Sequence, residues 1–368
     1  TGCRLFLSAT SSASYTMGGA TSLAPQSMQL QFVKFPPRES PTRIRTLNGQ
    51  IIDSQLDKTS RALDPSALGF RFSPGYFFDV VRKHPNQDML FVSAPDTGRI
   101  KVTQPASALK YFEQGTWIEL ENGNRTIEIG LTTAPFAAAK QPLGFGNELA
   151  VQFDQVPGEF AVLTNTGVHI IRRRRLVDIF AKALGSCVSA SDDALEREVR
   201  KFINQYGRVE TIAAALAVAC GQGSDLRTGT GRGMDRNTEN LARAAFIEYG
   251  GQPRLAESDG KQSVSESVRL SSRHDALALY LTRLVRTLWK AKVVKVGSGS
   301  DISSTIPTSK LVTIQENVER LRNFLEANKS TIQGLAPPSE RLFGRQEDVA
   351  NQKEHQALHA LQKLMESI

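Results

Sequence analysis

The sequence predicts a chain in two halves, strands first and helices second, and three observations predict it. Short runs in the first half alternate apolar and polar residues at the two-residue period of a strand. In the second half apolar residues recur three and four apart, the period of a helix with one buried stripe. The switch falls within 159–184, where EFAVLTNTGVHIIRRRR runs into LVDIFAKAL. Thirdly, the strand runs follow one another through turn residues with no helix between them. That is a meander and not a βαβ pattern, so a doubly wound nucleotide-binding fold is disfavoured.

The strand runs are 4–9, 29–35, 76–82, 89–93, 116–120, 126–131, 148–153 and 160–171. Asn122-Gly123 separates TWIEL from TIEIGL, and Asn165-Thr166-Gly167 separates FAVL from VHII. Asn-Gly tolerates the positive φ of a tight turn, so GYFFDVV/DMLFVS, TWIEL/TIEIGL and FAVL/VHII are expected as antiparallel hairpins. Hairpins at this spacing suit a sandwich, a barrel or propeller blades. Two polar stretches interrupt them. Residues 8–28 are uncharged and rich in Ser, Thr, Gly and Ala, and residues 36–66 are polar with several prolines. Both read as surface loops; 8–28 also has the composition of a lipid-packing motif, although Tyr15, Met17 and Leu23 do not share a helical face.

A series of helices is expected after 172. The first covers 176–184 and stops at Gly185; the second runs from an N-cap at Ser191-Asp192-Asp193 to Gly207. Residues 210–220 are apolar nearly all round and predict an inner helix. Asn237 or Thr238 caps a helix stopped by Gly250-Gly251. After a polar, aperiodic loop at 251–273, residues 274–296 place Leu277, Tyr280, Leu281, Leu284 and Leu288 on one face. Helices from Thr308 or Ser309 and over 347–367 repeat the pattern, the first with Leu311, Ile314, Val318, Leu321 and Leu325, the second with Ala357, Leu361, Leu364 and Met365. No repeat of fixed period is present, so a bundle or irregular solenoid is expected.

Composition bounds the function. With 40% apolar and 22% charged residues the chain is ordinary globular material, and no window is apolar enough to span a membrane. Thr1 begins inside a strand run, as in a piece of a longer protein. Cys3, Cys187 and Cys220 lie far apart and suggest neither disulfides nor zinc. The net charge of +8 is uneven, residues 172–368 carrying +7 of it. Gly229-Thr230-Gly231-Arg232-Gly233 lacks the Lys-Ser/Thr end of a phosphate loop, and His355 and His359 lack both the zincin Glu and a third ligand. No nucleophile elbow is present, so no catalytic residue, metal or cofactor is expected and the chain is not read as an enzyme. Arg172, Arg173, Arg174 and Arg175 form the densest charge; they read either as an anion or nuclear-localisation-like site, or as stems covering apolar surface at the domain seam. Without aromatics interleaved among the basic residues, nucleic-acid binding is disfavoured.

Beyond these patterns, GFGNELAVQFDQVPGEFAVLTNTGVHIIRRRRLVDIFAKAL at 144–184 resembles the large non-repetitive scaffold nucleoporins of the inner ring of the nuclear pore complex. Leu176 stands where that family has proline at the helix start. TGCRLFL at 1–7, AAFIEYGG at 244–251, the segment 279–289 ending in Trp289, and LRNFLEAN at 321–328 are similar to further family segments. The resemblance implies that 1–171 holds closing blades of a β-propeller and 172–368 the start of an irregular α-helical solenoid. It implies a nuclear-envelope scaffold whose partners are short linear motifs of linker nucleoporins and other inner-ring nucleoporins, with peripheral contact to the pore membrane. Phe180, Phe202, Tyr206, Phe246 and Tyr249 are the candidate groove residues for such motifs. A membrane module acting through 8–28 and a chromatin or nucleic-acid binder acting through Arg172–Arg175 are the alternatives.

Overall fold

In the computed structural model the described residues are 68–72, 76–84, 87–95, 113–121, 123–133, 146–153, 157–188, 193–223, 235–255, 268–289, 294–296, 302–332, 334–335 and 346–368. The strand runs expected at 4–9 and 29–35, the insertions 8–28 and 36–66, and the glycine cluster 229–233 lie outside them. The chain divides into two units, Thr1–Glu148 with Val156–Arg173, and Leu149–Gln155 with Arg174–Ile368.

The first unit holds two antiparallel sheets. β1 (Gly69–Phe72), β2 (Tyr76–His84), β3 (Gln87–Pro95) and β4 (Glu113–Glu119) pair in sequence order, the plan of a propeller blade. β5 (Thr126–Leu131), β6 (Glu159–Thr164) and β7 (Val168–Arg172) make the second sheet. Register follows side-chain alternation: Val80 faces Leu90, and Leu90 faces Ile118. Tyr76, Phe78, Val80 and Leu90 are thereby placed in one core with Leu120, Ile129, Phe160 and Val162. Phe160 joins the sheets; its ring centroid lies 4.8 Å from Phe78, 5.2 Å from Phe72 and 5.5 Å from Tyr76. Offset and edge-on aromatic pairs of this kind contribute beyond their buried area.

The hairpin expected between TWIEL and TIEIGL is not formed. Gly123 does take a positive φ of 88°, and the Asn124 amide donates to the Glu121 carbonyl at 3.1 Å. The turn nevertheless hands the chain from one sheet to the next. The Asp88 carboxylate accepts the Thr126 amide at 2.7 Å, and Asn165 Oδ1 accepts the Arg125 amide at 2.6 Å. Those side chains and the β3 edge already occupy what a β4–β5 ladder would use. The expected FAVL/VHII hairpin is present as β6–β7.

The second unit is helical: α1 (Gly146–Val151), α2 (Leu176–Cys187), α3 (Asp193–Tyr206), α4 (Arg208–Ala219), α5 (Arg236–Tyr249), α6 (Ser272–Trp289), α7 (Thr308–Ala327) and α8 (Gln346–Ser367). Residues 148–153, expected as a strand, instead close α1. Phe153 lies in the helical core against Tyr280, 5.0 Å between centroids, and Gln152 Oε1 accepts the Val177 amide at 3.1 Å. α2 passes through Gly185 to Cys187. Gly185 therefore does not terminate the helix, and a Cβ there would make only ordinary contact with Thr238 Oγ1 on α5, at 3.5 Å.

α4 is the inner helix expected from 210–220. Its residues from Thr211 to Val218 are all buried, and it packs against α2, α3, α5 and α6. Its alanines let the neighbouring backbones approach closely, and a helix apolar on every side has no other stable place. α6 buries Leu277, Tyr280, Leu281 and Leu284 as the spacing predicts, but it ends at Trp289. Val294–Val296 leaves the expected helix to pair with Ile302–Ser304 as β10–β11, a conformation that suits β-branched Val294 and Val296 better than a helix does. The stretch read as an aperiodic loop also holds a ladder, β8 (Arg254–Leu255) with β9 (Val268–Arg269).

Candidate partner-binding surfaces

The arginine run leaves β7 and enters α2, and its four side chains have different surroundings. Arg172 stands opposite Glu159 in the β6–β7 register and pairs with it at 2.9 Å. Arg173 Nε donates to Glu148 Oε1 at 3.3 Å, and its guanidinium lies 5.4 Å from the centre of the Tyr76 ring. Tyr76 donates its hydroxyl to the same carboxylate oxygen at 3.0 Å. Burial works against the Arg173 charge, but Glu148 and Tyr76 more than offset it, so the guanidinium is held above its ordinary pKa. Burial, reinforced by the Glu148 charge, pushes the Tyr76 phenol well above the usual range.

Arg175 is the N-cap residue of α2. Its backbone amide and its Nε both donate to Asp178 Oδ2, at 2.9 and 2.8 Å, and Nη1 donates to the Gln152 carbonyl at 2.7 Å. Asp178 thus serves as the acidic residue of a capping box three positions into the helix. Arg174 alone of the four is exposed. As an anion or nuclear-localisation-like site, the run therefore presents one outward guanidinium and three drawn into local ion pairs.

The five aromatic residues proposed as groove formers have two fates. Phe180, Phe202, Tyr206 and Phe246 are core residues, 0%, 4%, 6% and 1% exposed. Phe180 and Phe202 meet edge-on at 4.8 Å, Phe202 and Tyr206 at 5.6 Å, and Phe246 meets Phe324 at 5.8 Å. Large rings near helix ends are drawn inward because neighbouring helices cover those ends, and a sequence pattern does not show that cover. Tyr249 is half-buried, and burial, then Glu196 and Glu248, raise its phenol pKa.

Two exposed apolar surfaces were not singled out by the sequence. On the second sheet Leu163 of β6 faces Val168 of β7, and both are exposed, with Ile170 beside them and Ile127 on β5. On β10–β11, Val296 faces Ile302, which is 74% exposed, and Val294 is exposed nearby; Trp289, the last residue of α6, is 58% exposed. Alternation did carry this signal, since one face of each ladder is necessarily outward, but it did not say which face.

His355 and His359 stack with centroids 6.3 Å apart, and His355 Nδ1 lies 2.9 Å from the Gly334 carbonyl. Among the described residues no group of three His, Cys, Asp or Glu could hold a metal ion, and no helix is long and apolar enough to cross a membrane. Cys187 and Cys220 are buried free thiols.

Comparison with known proteins agrees with this architecture. Residues 1–170 match the family described as Nup133 N terminal like, and residues 271–368 match the non-repetitive/WGA-negative nucleoporin C-terminal family. Over its whole length the chain is 99% identical to Nucleoporin NUP170 of Chaetomium thermophilum, of which it spans 26%, and 28% identical to the probable nucleoporin C890.06 of Schizosaccharomyces pombe, of which it spans 30%. The chain therefore corresponds to less than a third of these relatives. Its fold is similar to the crystal structure of the Chaetomium thermophilum Nup170 NTD–Nup53 complex, with a TM-score of 0.76 and 87% identity over 95% of this chain and 45% of that one. Antiparallel blades followed by an irregular helical array are thus the closing blades of a propeller and the start of a solenoid. Both matched families and the relatives are nucleoporins, structural and non-enzymatic proteins of the nuclear pore complex at the nuclear envelope, and the chain is similar over its whole length to a segment of one of them.

Proposed function

We propose that this chain is a scaffold module of the inner ring of the nuclear pore complex, holding short linear segments of a linker nucleoporin and thereby supporting nucleocytoplasmic transport. The observation that carries the proposal is the fold similarity, at 87% identity, to a Nup170 domain crystallised with Nup53. Rigid helices around the buried α4, and blades locked by the Phe160 cluster, suit a support on which extended segments are seated. The exposed apolar surfaces on β5–β7 and on β10–β11 are where apolar segments would settle, and Tyr249 is the one of the five aromatics that is only partly buried. Contacts with other inner-ring nucleoporins and a position beside the pore membrane belong to the same proposal.

The test is capture of soluble Nup53 fragments by the folded chain, read by pull-down and then by calorimetry. Saturable binding is expected, weakened by Val296→Asp with Ile302→Asp or by Leu163→Asp with Val168→Asp. No association with a chain that is folded by circular dichroism would end the proposal.

A further inference from the structure

Arg208, Arg254 and Arg269 line one concavity of the helical unit, about 520 Å³ in volume, together with Gly251, Ser272 and Asp275. Three separate elements bring the guanidinium groups together. Arg208 is the first residue of α4, Arg254 lies in β8, and Arg269 in β9. Arg254 and Arg269 are direct cross-strand partners. Like charges in that relation repel, and a ladder two residues long offers little to offset the repulsion. An anion between them would reverse its sign.

Gly251 has a φ of +73°, and a Cβ built on it would lie 3.6 Å from Arg208 Nη1. The guanidinium of Arg208 therefore passes over bare backbone. Ser272 opens the eighteen-residue α6, whose N-terminal dipole adds to the positive field. The one lining carboxylate, Asp275, lies 3.0 Å from His274 Nδ1. Among the described residues none of the three arginines has a carboxylate partner, whereas Arg172, Arg173, Arg175 and Arg283 each have one.

We propose that this concavity is a binding site for a phosphoryl group carried on an extended segment of a partner protein. Guanidinium forks match phosphate oxygens two at a time, and a phosphoserine, with a charge of about −1.5 to −2, suits three arginines set against one carboxylate. The arginines line a hollow, and none of the large exposed apolar residues lies in it to enter a headgroup layer, which favours a protein segment over a membrane. No aromatic ring lines it to stack a base, which disfavours nucleic acid. The site is separate from the apolar surfaces proposed for the linker nucleoporin and does not depend on that proposal.

The test uses the whole chain and a fluorescent peptide with one phosphoserine between Gly and Ala flanks, titrated to millimolar concentration beside its unphosphorylated form. The phosphorylated peptide is expected to bind at least about tenfold more tightly. The pair Arg254→Ala and Arg269→Ala should weaken it by about tenfold, whereas Arg236→Ala with Arg322→Ala, which removes equal charge from exposed positions elsewhere, should change it less than about twofold. Equal binding of both peptides, no binding of either, or equal loss in both variants would overturn the site. Preference for vesicles of phosphatidylcholine with phosphatidylinositol bisphosphate, through the same arginines, would reassign it to a membrane. Binding seen only after Glu257→Gln, Asp259→Asn and Glu266→Gln would assign it to the chain's own acidic 256–267 segment. Capture of the Nup53 fragment by the Arg254/Arg269 variant, measured alongside, separates failure of this site from failure of the scaffold reading.

Discussion

Arg283 and Glu210 tie α6 to α4 through two parallel bonds, Nη1 to Oε1 at 2.6 Å and Nη2 to Oε2 at 2.8 Å. Their side chains are only 10% and 13% exposed, so water replaces little of what is lost when one partner is removed. Glu210→Gln keeps the shape but leaves a buried guanidinium facing a neutral amide. Removing one member of a buried pair costs about 3–5 kcal/mol; with this residual exposure the lower end, about 3 kcal/mol, is expected. Arg283→Met should cost a similar amount. Glu210→Gln combined with Arg283→Met removes both charges and should cost about 4 kcal/mol, which is about 2 kcal/mol less than the two single losses added together, and that difference is the coupling the double-mutant cycle reads. Urea unfolding followed at 222 nm, where the helical unit dominates the signal, reads all four states of the cycle. Single losses below about 1 kcal/mol, or a coupling below about 0.5 kcal/mol, would show that the pair is solvated and that the argument from burial is wrong.

Four further outcomes follow from the same structure. Phe246→Ala should destabilise the helical unit by about 3–5 kcal/mol, because the ring is 1% exposed and packed on Phe324; weakened partner binding with unchanged stability would instead restore it as a groove residue. Arg174→Ala should alter stability by less than about 0.5 kcal/mol while Arg175→Ala, which removes the guanidinium bonds to Asp178 and to the Gln152 carbonyl, should cost about 1–2 kcal/mol in the same denaturation assay; equal effects would contradict the geometry. Gly251→Ala should cost about 1–2 kcal/mol, since φ is +73° there, and a thermal melt with no shift would refute the strain. Complete burial pushes the Cys220 thiol far above its ordinary range. Its neutral form is favoured by folding, so its contribution is complete below the unfolded pKa, near 8.5, and declines as pH rises toward the folded value; the loss between pH 8 and pH 10 should be about 2 kcal/mol. Cys220→Ala should flatten that part of the urea-midpoint profile, and an unchanged slope would rule out this assignment.

Much of the architecture was legible because burial and periodicity coincide. The stripe on α6, the inner character of α4 and the β6–β7 hairpin all have one buried face, or none outward, and that constraint is written into local spacing. The failures share another cause. Asn122-Gly123 announces a turn but not what its flanks pair with, and that is decided by Asp88 and Asn165, each about forty residues distant in the chain. Residues 148–153 fit either period, and Phe153 on Tyr280 chose the helix. On α8 the expected stripe missed Leu358 and Glu354, both 1% exposed; Glu354 is buried because its carboxylate accepts the Ser271 amide at 2.9 Å and the Ser271 hydroxyl. For the candidate sites the resemblance named a class of partner but not a surface. Four of the five aromatics lie in the core, and the facing of Arg254 with Arg269 joins residues separated by a polar segment with no periodicity of its own.

The alanine-rich α4 has a consequence for how this region can change over time. A helix with one solvated face can exchange half its residues almost freely, and a surface built on it can drift toward new partners. α4 has no such face: Ala213, Ala214, Ala215 and Ala217 are each at most 5% exposed, with α2, α3, α5 and α6 packed around the helix. A single added methylene there must displace a neighbouring helix, at a cost of about 1–3 kcal/mol. Novelty in this unit is thereby confined to its periphery, the β10–β11 ladder and the arginine-lined hollow, while the centre keeps one sequence solution.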